Sequence, residues 1–476
     1  MALGRDVVLL PVLLAAAYLA VAPVWAPDVT AFRYDQARCL QLLLLAVLAV
    51  VVSLPAPQAS TQLTWSYLTP AAKRLFVVWL AVGLISAAAS LAPKLGMLEV
   101  GTTVLLVLLF LAVAGGVRAR GALAEQTLAA TITLGAGALV LQFWVLHGLT
   151  LLEGRPFSWE SPFLEFANVR FFNQYQSYAI LLLTMPIVLF RLPPAWRWLI
   201  YLVAVSFWAL IWMVGARAVW AGFVAAVIVV LLFGRRTALR WLSLQAALLV
   251  AGGLVFTAFS AFQTETPSGR SAIPEKLSLI NRGWQSVNER VIMARGATEM
   301  VADRPLLGVG PGQFGLHYTG SRAAHPHNSI LYLFSEYGFI GGAAASSLGV
   351  MLLALAIRRL RESHRSDDAV TVALAGALTL GLFESLFSGN LVMPHSQVML
   401  AVTGGWLLGR SQRDREPVEP KPVKNWTRWS LSAIALISAT VVTLLAADYL
   451  LAVNALPGWL PERFPHFWQY GRWADW

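Results

Sequence analysis

The sequence predicts an all-α polytopic membrane protein with about 12–13 transmembrane helices, and three observations carry that expectation. The chain of 476 residues is 58% hydrophobic and only 12% charged, whereas soluble domains carry roughly 25% charged residues. Apolar runs of about 20 residues recur along its whole length, each long enough to cross a hydrocarbon core of roughly 30 Å as a helix. Short segments of alternating polarity, the mark of a transmembrane β-barrel, do not compete with them.

The first run, residues 7–25, is longer than the apolar core of a signal peptide and has no convincing cleavage pattern, so it reads as a retained anchor. Runs follow at 38–54, 75–92, 98–117, 126–151, 174–190, 197–214, 218–233 and 241–262. After a long polar stretch come 329–357, 369–388, 396–409 and 429–452. Threaded alternately from a cytoplasmic N-terminus, these helices divide the 35 Lys and Arg into 20 cytoplasmic and 15 on the far side. Seven of the fifteen lie in the 263–327 loop, which is long enough to escape the positive-inside rule. The remaining ratio of 20 to 8 sets the orientation. The net charge of +11 is therefore mostly topology, and nucleic acid is not an expected partner. A single cysteine, Cys39, excludes an internal disulfide framework and a cysteine-rich metal site.

Four regions result: N-terminal helices over 1–262, a loop domain over 263–327, C-terminal helices over 328–452, and a tail over 453–476. The tail is dense in Trp and Phe, as expected of a segment at the membrane interface. The one linker-like stretch is "DREPVEPKPVKN", ahead of the last helix. The loop domain has signs of structure. Ser286 and Glu289 have capping-box spacing at the expected head of a helix reaching about Ala302. Pro305 stops that helix, and the glycine-rich "GVGPGQFG" turns the chain back toward the membrane.

Chemistry concentrates on the far side. "HPHNS" places His325, His327 and Asn328 at the rim of a transmembrane helix. Imidazole exchanges protons near neutral pH, so His327 is a candidate base toward a hydroxyl. Equally, a histidine there can be a helix-end residue, and Asn328 or Ser329 a helix cap. Arg170, Arg217 and Arg290 stand where short segments are otherwise poor in positive charge. One arginine near a helix end can simply reach for headgroups; three beside histidines point to a diphosphate, which guanidinium groups bind in fork geometry. The far side has no Asp-x-Asp or Glu-x-Asp pair to hold a divalent cation, and no glycine-rich loop ends in Lys-Ser or Lys-Thr. Neither a metal nor a nucleotide cofactor is expected. Glu336 and Glu384 fall inside helices, where charge is costly; they are the features a proton-coupled transporter would use, although a buried polar contact also explains Glu336. His147, His317, His364, His395 and His466 have no comparable setting and read as structural.

"ERVIMARGATEMVADRPLLGVGPGQF" followed by "HPHNSILYLFSEYGFIGG" resembles the signature region of the O-antigen ligase family. His327–Asn328 with Gly338 and Gly341 resembles that family's histidine motif, and "RFFNQYQS" and "GARAVWAGF" look like its earlier arginine-bearing segments. The resemblance covers roughly residues 165–390. It implies a bacterial inner-membrane glycosyltransferase of the GT-C type, working without metal on the periplasmic face. Its donor would be O-antigen on undecaprenyl diphosphate, its acceptor a sugar hydroxyl of lipid A-core, with both partners anchored among membrane lipid. By the same resemblance, His327 aligns with the essential histidine and Arg217 and Arg290 with the essential arginines. Arg170, Asn173, Gln174, His325 and Asn328 fall in substrate-binding positions. O-antigen polymerases and protein O-oligosaccharyltransferases share this donor and differ in acceptor, so motif chemistry leaves these alternatives open. A thirteenth helix departs from the usual twelve.

Overall fold

The computed structural model describes residues 6–30, 33–153, 163, 165–166, 169–263, 281–318, 323–363, 368–413 and 425–454. Every regular element in them is helical. After a 3₁₀ turn at Val7–Leu9 come α1 (Leu10–Val21), α2 (Arg33–Val52), α3 (Pro55–Ser66) and α4 (Pro70–Ala88). Proline opens α3 and α4, where its missing N–H has no intrahelical partner to lose. Thr69 caps α4 by accepting from the Ala72 N–H.

Helix α5 runs from Pro93 to Leu152. Its 60 residues would extend about 90 Å if straight, far beyond any bilayer. Gly121, at φ +40° and ψ −112°, breaks it into two limbs, which correspond to the expected spans 98–117 and 126–151. Next are α6 (Val169–Ala179), α7 (Met185–Leu189), α8 (Pro194–Val214) and α9 (Arg217–Gln263). The chain then forms α10 (Asn281–Asp303) and the short α11 (Phe314–His317), before α12 (Ser329–Ser363), α13 (Ala369–Glu384), α14 (Pro394–Arg413) and α15 (Asn425–Asn454). Among the described residues, eight helices are long and apolar enough to cross a membrane, and Val7–Val21 and Ala369–Glu384 are shorter apolar helices. The protein is an all-α polytopic membrane protein.

Four expectations change. The span expected at 174–190 is interrupted: α6 starts at Val169, turns occupy 180–184, and Pro186 opens the separate α7. The segment between the second and third spans is not a plain connection but contains α3, whose Ser60 carbonyl accepts from Arg118. The capping box does not start α10, because that helix begins at Asn281 and Ser286 lies inside it. The helix expected to reach residue 388 ends at Glu384. The proline-bearing linker at 414–424, the tail beyond Asn454, His364 and His466 lie outside the described residues.

Small residues let helices of the bundle approach closely. Gly405 and Gly409 of α14 come up against the backbone of Phe110 and Ala114 in α5. At the end of the bundle away from His327, Arg410 joins Glu125 and, at 2.8 Å, Asp368, while Arg413 also reaches Glu125 at 2.8 Å. Burying such charges is tolerable only because each is paired.

Candidate functional site

At the other end, α10 to α11 form a cap with its own small core of Met293, Ala297, Met300, Val309 and Phe314, against which Leu331 of α12 packs. Glu336, fully buried in α12, holds the cap down. One carboxylate oxygen accepts from Gly312 N at 2.7 Å and the other from Phe314 N at 3.2 Å. Backbone bonds extend the clamp: Val309 N donates to Ser335 O at 2.8 Å and Phe339 N to Pro305 O at 2.7 Å. The approach is close enough that a Cβ on Gly338, at φ +65°, would collide with the Leu306 carbonyl. This explains the first glycine of the histidine motif. A buried carboxylate satisfied by two backbone donors needs no cation beside it.

The chain leaving the cap passes through His325 and His327 into α12. Among the described residues, His327 is the one non-glycine with positive φ, at +51°. Its N–H donates to His325 Nδ1 at 3.1 Å, and the two rings are 4.2 Å apart. His325 is buried, with its Cε1–Nε2 edge against Gly389. Asn328 caps α12: its Oδ1 accepts from Leu331 N at 2.9 Å, and its Nδ2 donates to Leu386 O at 3.0 Å. The cap reading of Asn328 is therefore realised, and its amide serves the fold at the site's edge.

The arginines arrive from three other places. Arg170 opens α6, Arg290 lies on α10, and Arg217 begins α9 just after Gly215, whose left-handed φ of +63° ends α8. All three retain exposed surface. They act on one another, and Arg170 and Arg290 also on the histidine. Burial first, then the charges of Arg170 and Arg290, hold the His327 imidazole down at about 4. Desolvation, then Arg170 and Arg217, lowers Arg290. Burial and the neighbouring His327 push His325 well below the usual histidine range. The fold thus brings together His327, His325, Arg170, Arg217 and Arg290. Asn173 and Gln174 share Arg170's face of α6 by their three- and four-residue spacing. Gln174 Nε2 donates to Ser388 Oγ at 2.8 Å, while Asn173 Oδ1 and Gln174 Oε1 are buried without a protein hydrogen bond.

Sequence reasoning missed two features. Residues 384–390 meet the histidine segment, α6 and α10 together, and their only signal was the turn-forming Ser388-Gly389-Asn390 at the end of an apolar run. Arg38, at the start of the expected 38–54 span, is buried: it bonds Tyr34 Oη at 2.6 Å, Gln41 Oε1 at 2.7 Å, and Gln397 Oε1 and Val392 O at 2.8 Å. Alongside lies a cavity of about 1320 Å³, mostly apolar, reaching from Ser329 and Ser385 beside the site to Arg358 and Gln412 at the other end. Among the described residues, no group of three His, Cys, Asp or Glu could hold a metal ion.

The family model described as O-antigen ligase matches residues 201–346, consistent with an O-antigen ligase family member. The matched span includes Arg217, Arg290, His325, His327 and Glu336, but neither Arg170 nor the 384–390 turn. No curated protein matches the chain.

Proposed function

We propose that the protein is a membrane-embedded glycosyltransferase, an O-antigen ligase that moves O-antigen from undecaprenyl diphosphate to a sugar hydroxyl of lipid A-core. One observation carries the reading: Arg170 and Arg290, from separate stretches of chain, stand close enough to His327 to depress its protonation, and Arg217 stands close enough to Arg290 to lower that of the guanidinium. Such a constellation suits a dianionic leaving group beside a hydroxyl that must lose its proton. The acceptor oxygen forms the new bond to the anomeric carbon as its proton passes to His327. The bond from that carbon to the diphosphate oxygen breaks, and its electron pair leaves with the diphosphate. Attack opposite the leaving group inverts the anomeric centre. The arginines balance the charge that develops on the departing oxygen, so the reading calls for no bound metal.

The apolar cavity beginning at Ser329 and Ser385 gives the donor's polyprenyl chain a place in the bilayer directly beneath the site. The excess of positive charge in the opposite short segments supports a site on the periplasmic face of the inner membrane. A transporter would need Glu336 and Glu384 to exchange protons, yet both carboxylates are engaged by internal donors. O-antigen polymerase and protein O-oligosaccharyltransferase chemistry would use the same donor machinery with a different acceptor.

The test is transfer by purified protein in lipid nanodiscs, with lipid-linked O-antigen and lipid A-core supplied. His327→Ala should leave donor binding intact and lower turnover by roughly 10²–10⁴-fold, the usual contribution of a general base. A near-normal rate from that variant returns His327 to a helix-end role. In cells, a deletion strain should lose long-chain lipopolysaccharide while lipid-linked polymer accumulates. Polymer confined to one repeat would instead identify a polymerase.

A further inference from the structure

Beneath the histidine segment, one short turn receives several site residues in succession. Ser329 N donates to Ser385 O at 2.9 Å, Asn328 Nδ2 to Leu386 O at 3.0 Å, and Arg290 Nη2 to Phe387 O at 3.3 Å. The next residue, Ser388, accepts from Gln174, and the one after, Gly389, abuts the His325 ring. Five consecutive positions therefore meet residues from α6, α10, the histidine segment and the start of α12. Backbone carbonyls of a turn can place partners this reproducibly only if the turn itself is held.

What holds it is a buried pair across its base. Glu384 and Asn390 are 1% and 0% exposed, so neither is available to solvent. Asn390 Nδ2 donates to Glu384 Oε2 at 2.9 Å and to Gly381 O at 3.2 Å, and Phe387 N donates to Glu384 O at 2.8 Å. Ser396 Oγ donates to Asn390 O at 2.7 Å, tying the far side of the turn to α14. A carboxylate this deep is costly unless it has specific donors, and here those donors close the loop on which the site rests.

We propose that residues 384–390 are the seat of the transferase site and that Glu384 and Asn390 are positioning residues, fixing the carbonyls that place Arg290 and Asn328 and the glycine that abuts His325. Glu384 itself transfers no proton in this scheme. The inference rests on the transferase reading above. It adds a segment outside the span that matches the O-antigen ligase family.

Three substitutions test it in the purified full-length chain. Gly389→Ala adds a single methyl that would sit 2.6 Å from His325 Cε1 and Nε2. It should push the imidazole aside and release the His327 N–H, lowering kcat by about 10–10²-fold, as small misplacements at reacting centres do. Donor KM should change little, because the arginines are not displaced. Glu384→Ala should free the turn and impair both kcat and donor KM, because Arg290 loses the position of its Phe387 contact. Glu384→Gln keeps an acceptor for Asn390 and should retain most of the wild-type rate and its pH profile.

Wild-type behaviour of Gly389→Ala overturns the proposal, as does Glu384→Gln being as inactive as Glu384→Ala, which would mean the charge or proton is used directly. Should Glu384→Ala fail to fold, the other two variants still decide the matter. Failure of the transferase reading itself is distinguishable, since then the wild-type chain shows no transfer at all.

Discussion

The proton affinity of His327 offers the sharpest test of the site's electrostatics. In the unliganded site its titration lies at about 4, set by burial and then by Arg170 and Arg290. At pH 7 about one molecule in a thousand would then carry imidazolium, against roughly a quarter for an unperturbed histidine near 6.5. A diphosphate bound among the arginines reverses the electrostatic part. An opposite charge within about 4–6 Å moves a titration by roughly 1–3 pH units, so donor binding should raise His327 toward roughly 5–7. The sign follows directly: the neutral ring is the active base, and activity is lost as pH falls through the titration. The measurement is the carbethoxylation rate at His327 between pH 4 and 8, read by peptide mass spectrometry, because only the neutral ring reacts. Undecaprenyl diphosphate should shift the midpoint upward. Arg170→Gln should do the same without ligand. A free-enzyme midpoint near 6.5, or one that does not rise when the lipid diphosphate binds, would refute the convergence of charge on this histidine.

Replacing Arg217 or Arg290 with Lys should weaken donor binding by about tenfold or more while keeping the charge, because the planar fork is lost; equilibrium binding of the lipid diphosphate measures this. Glu336→Ala removes two backbone-donor bonds to the cap, each typically contributing about 0.5–1.5 kcal/mol, and should make the 305–318 segment protease-sensitive while the transmembrane bundle stays folded. Unchanged proteolysis would remove Glu336 from the clamp. Transfer should persist in excess chelator, and activity restored only by magnesium or manganese would contradict an arginine-only donor site. In a Cys39-free background, single cysteines at residues 170, 216 and 295 should react with an impermeant thiol reagent in intact spheroplasts; protection of all three until lysis would invert the topology.

The helices were legible because each is an unbroken apolar run, and that signal is additive over about 20 residues. Arg217 and His327 were legible for the opposite reason, being polar where the chain had little other cause for polarity. The seat was not. Ser385, Leu386 and Phe387 act through carbonyls that any residue would supply, and the apolar side chains of Leu386 and Phe387 extend the run of α13. Periodicity therefore carried the expected helix four residues too far. The capping-box spacing at Ser286 misled because the same pattern also occurs inside a helix, and only the backbone conformation at the first residue distinguishes the two. Glu336 could be recognised as buried, but its partners Gly312 and Phe314 precede it by more than twenty residues, a separation with no local signature.

The two carboxylates within the helices divide one task. Glu336 fixes the cap from above by two amide donors, and Glu384 sits at the base of the turn below, held by Asn390. Arg290 is the residue that touches both parts, standing on α10 of the cap while its Nη2 donates to Phe387 O of the turn. A guanidinium has five N–H donors in a fixed plane, so this bond orients the group without exhausting it. Orientation in advance matters more here than in a soluble enzyme. Both proposed substrates are tethered in the bilayer and approach the site sideways, so their own binding contacts are few and the protein must supply the alignment. A rigid cap and a rigid seat, each closed by a buried carboxylate, can hold Arg290 and His327 at a fixed separation before either substrate arrives. The positive charge of the three arginines is then concentrated where a diphosphate would lie, and the histidine beside it becomes more basic only when that diphosphate binds.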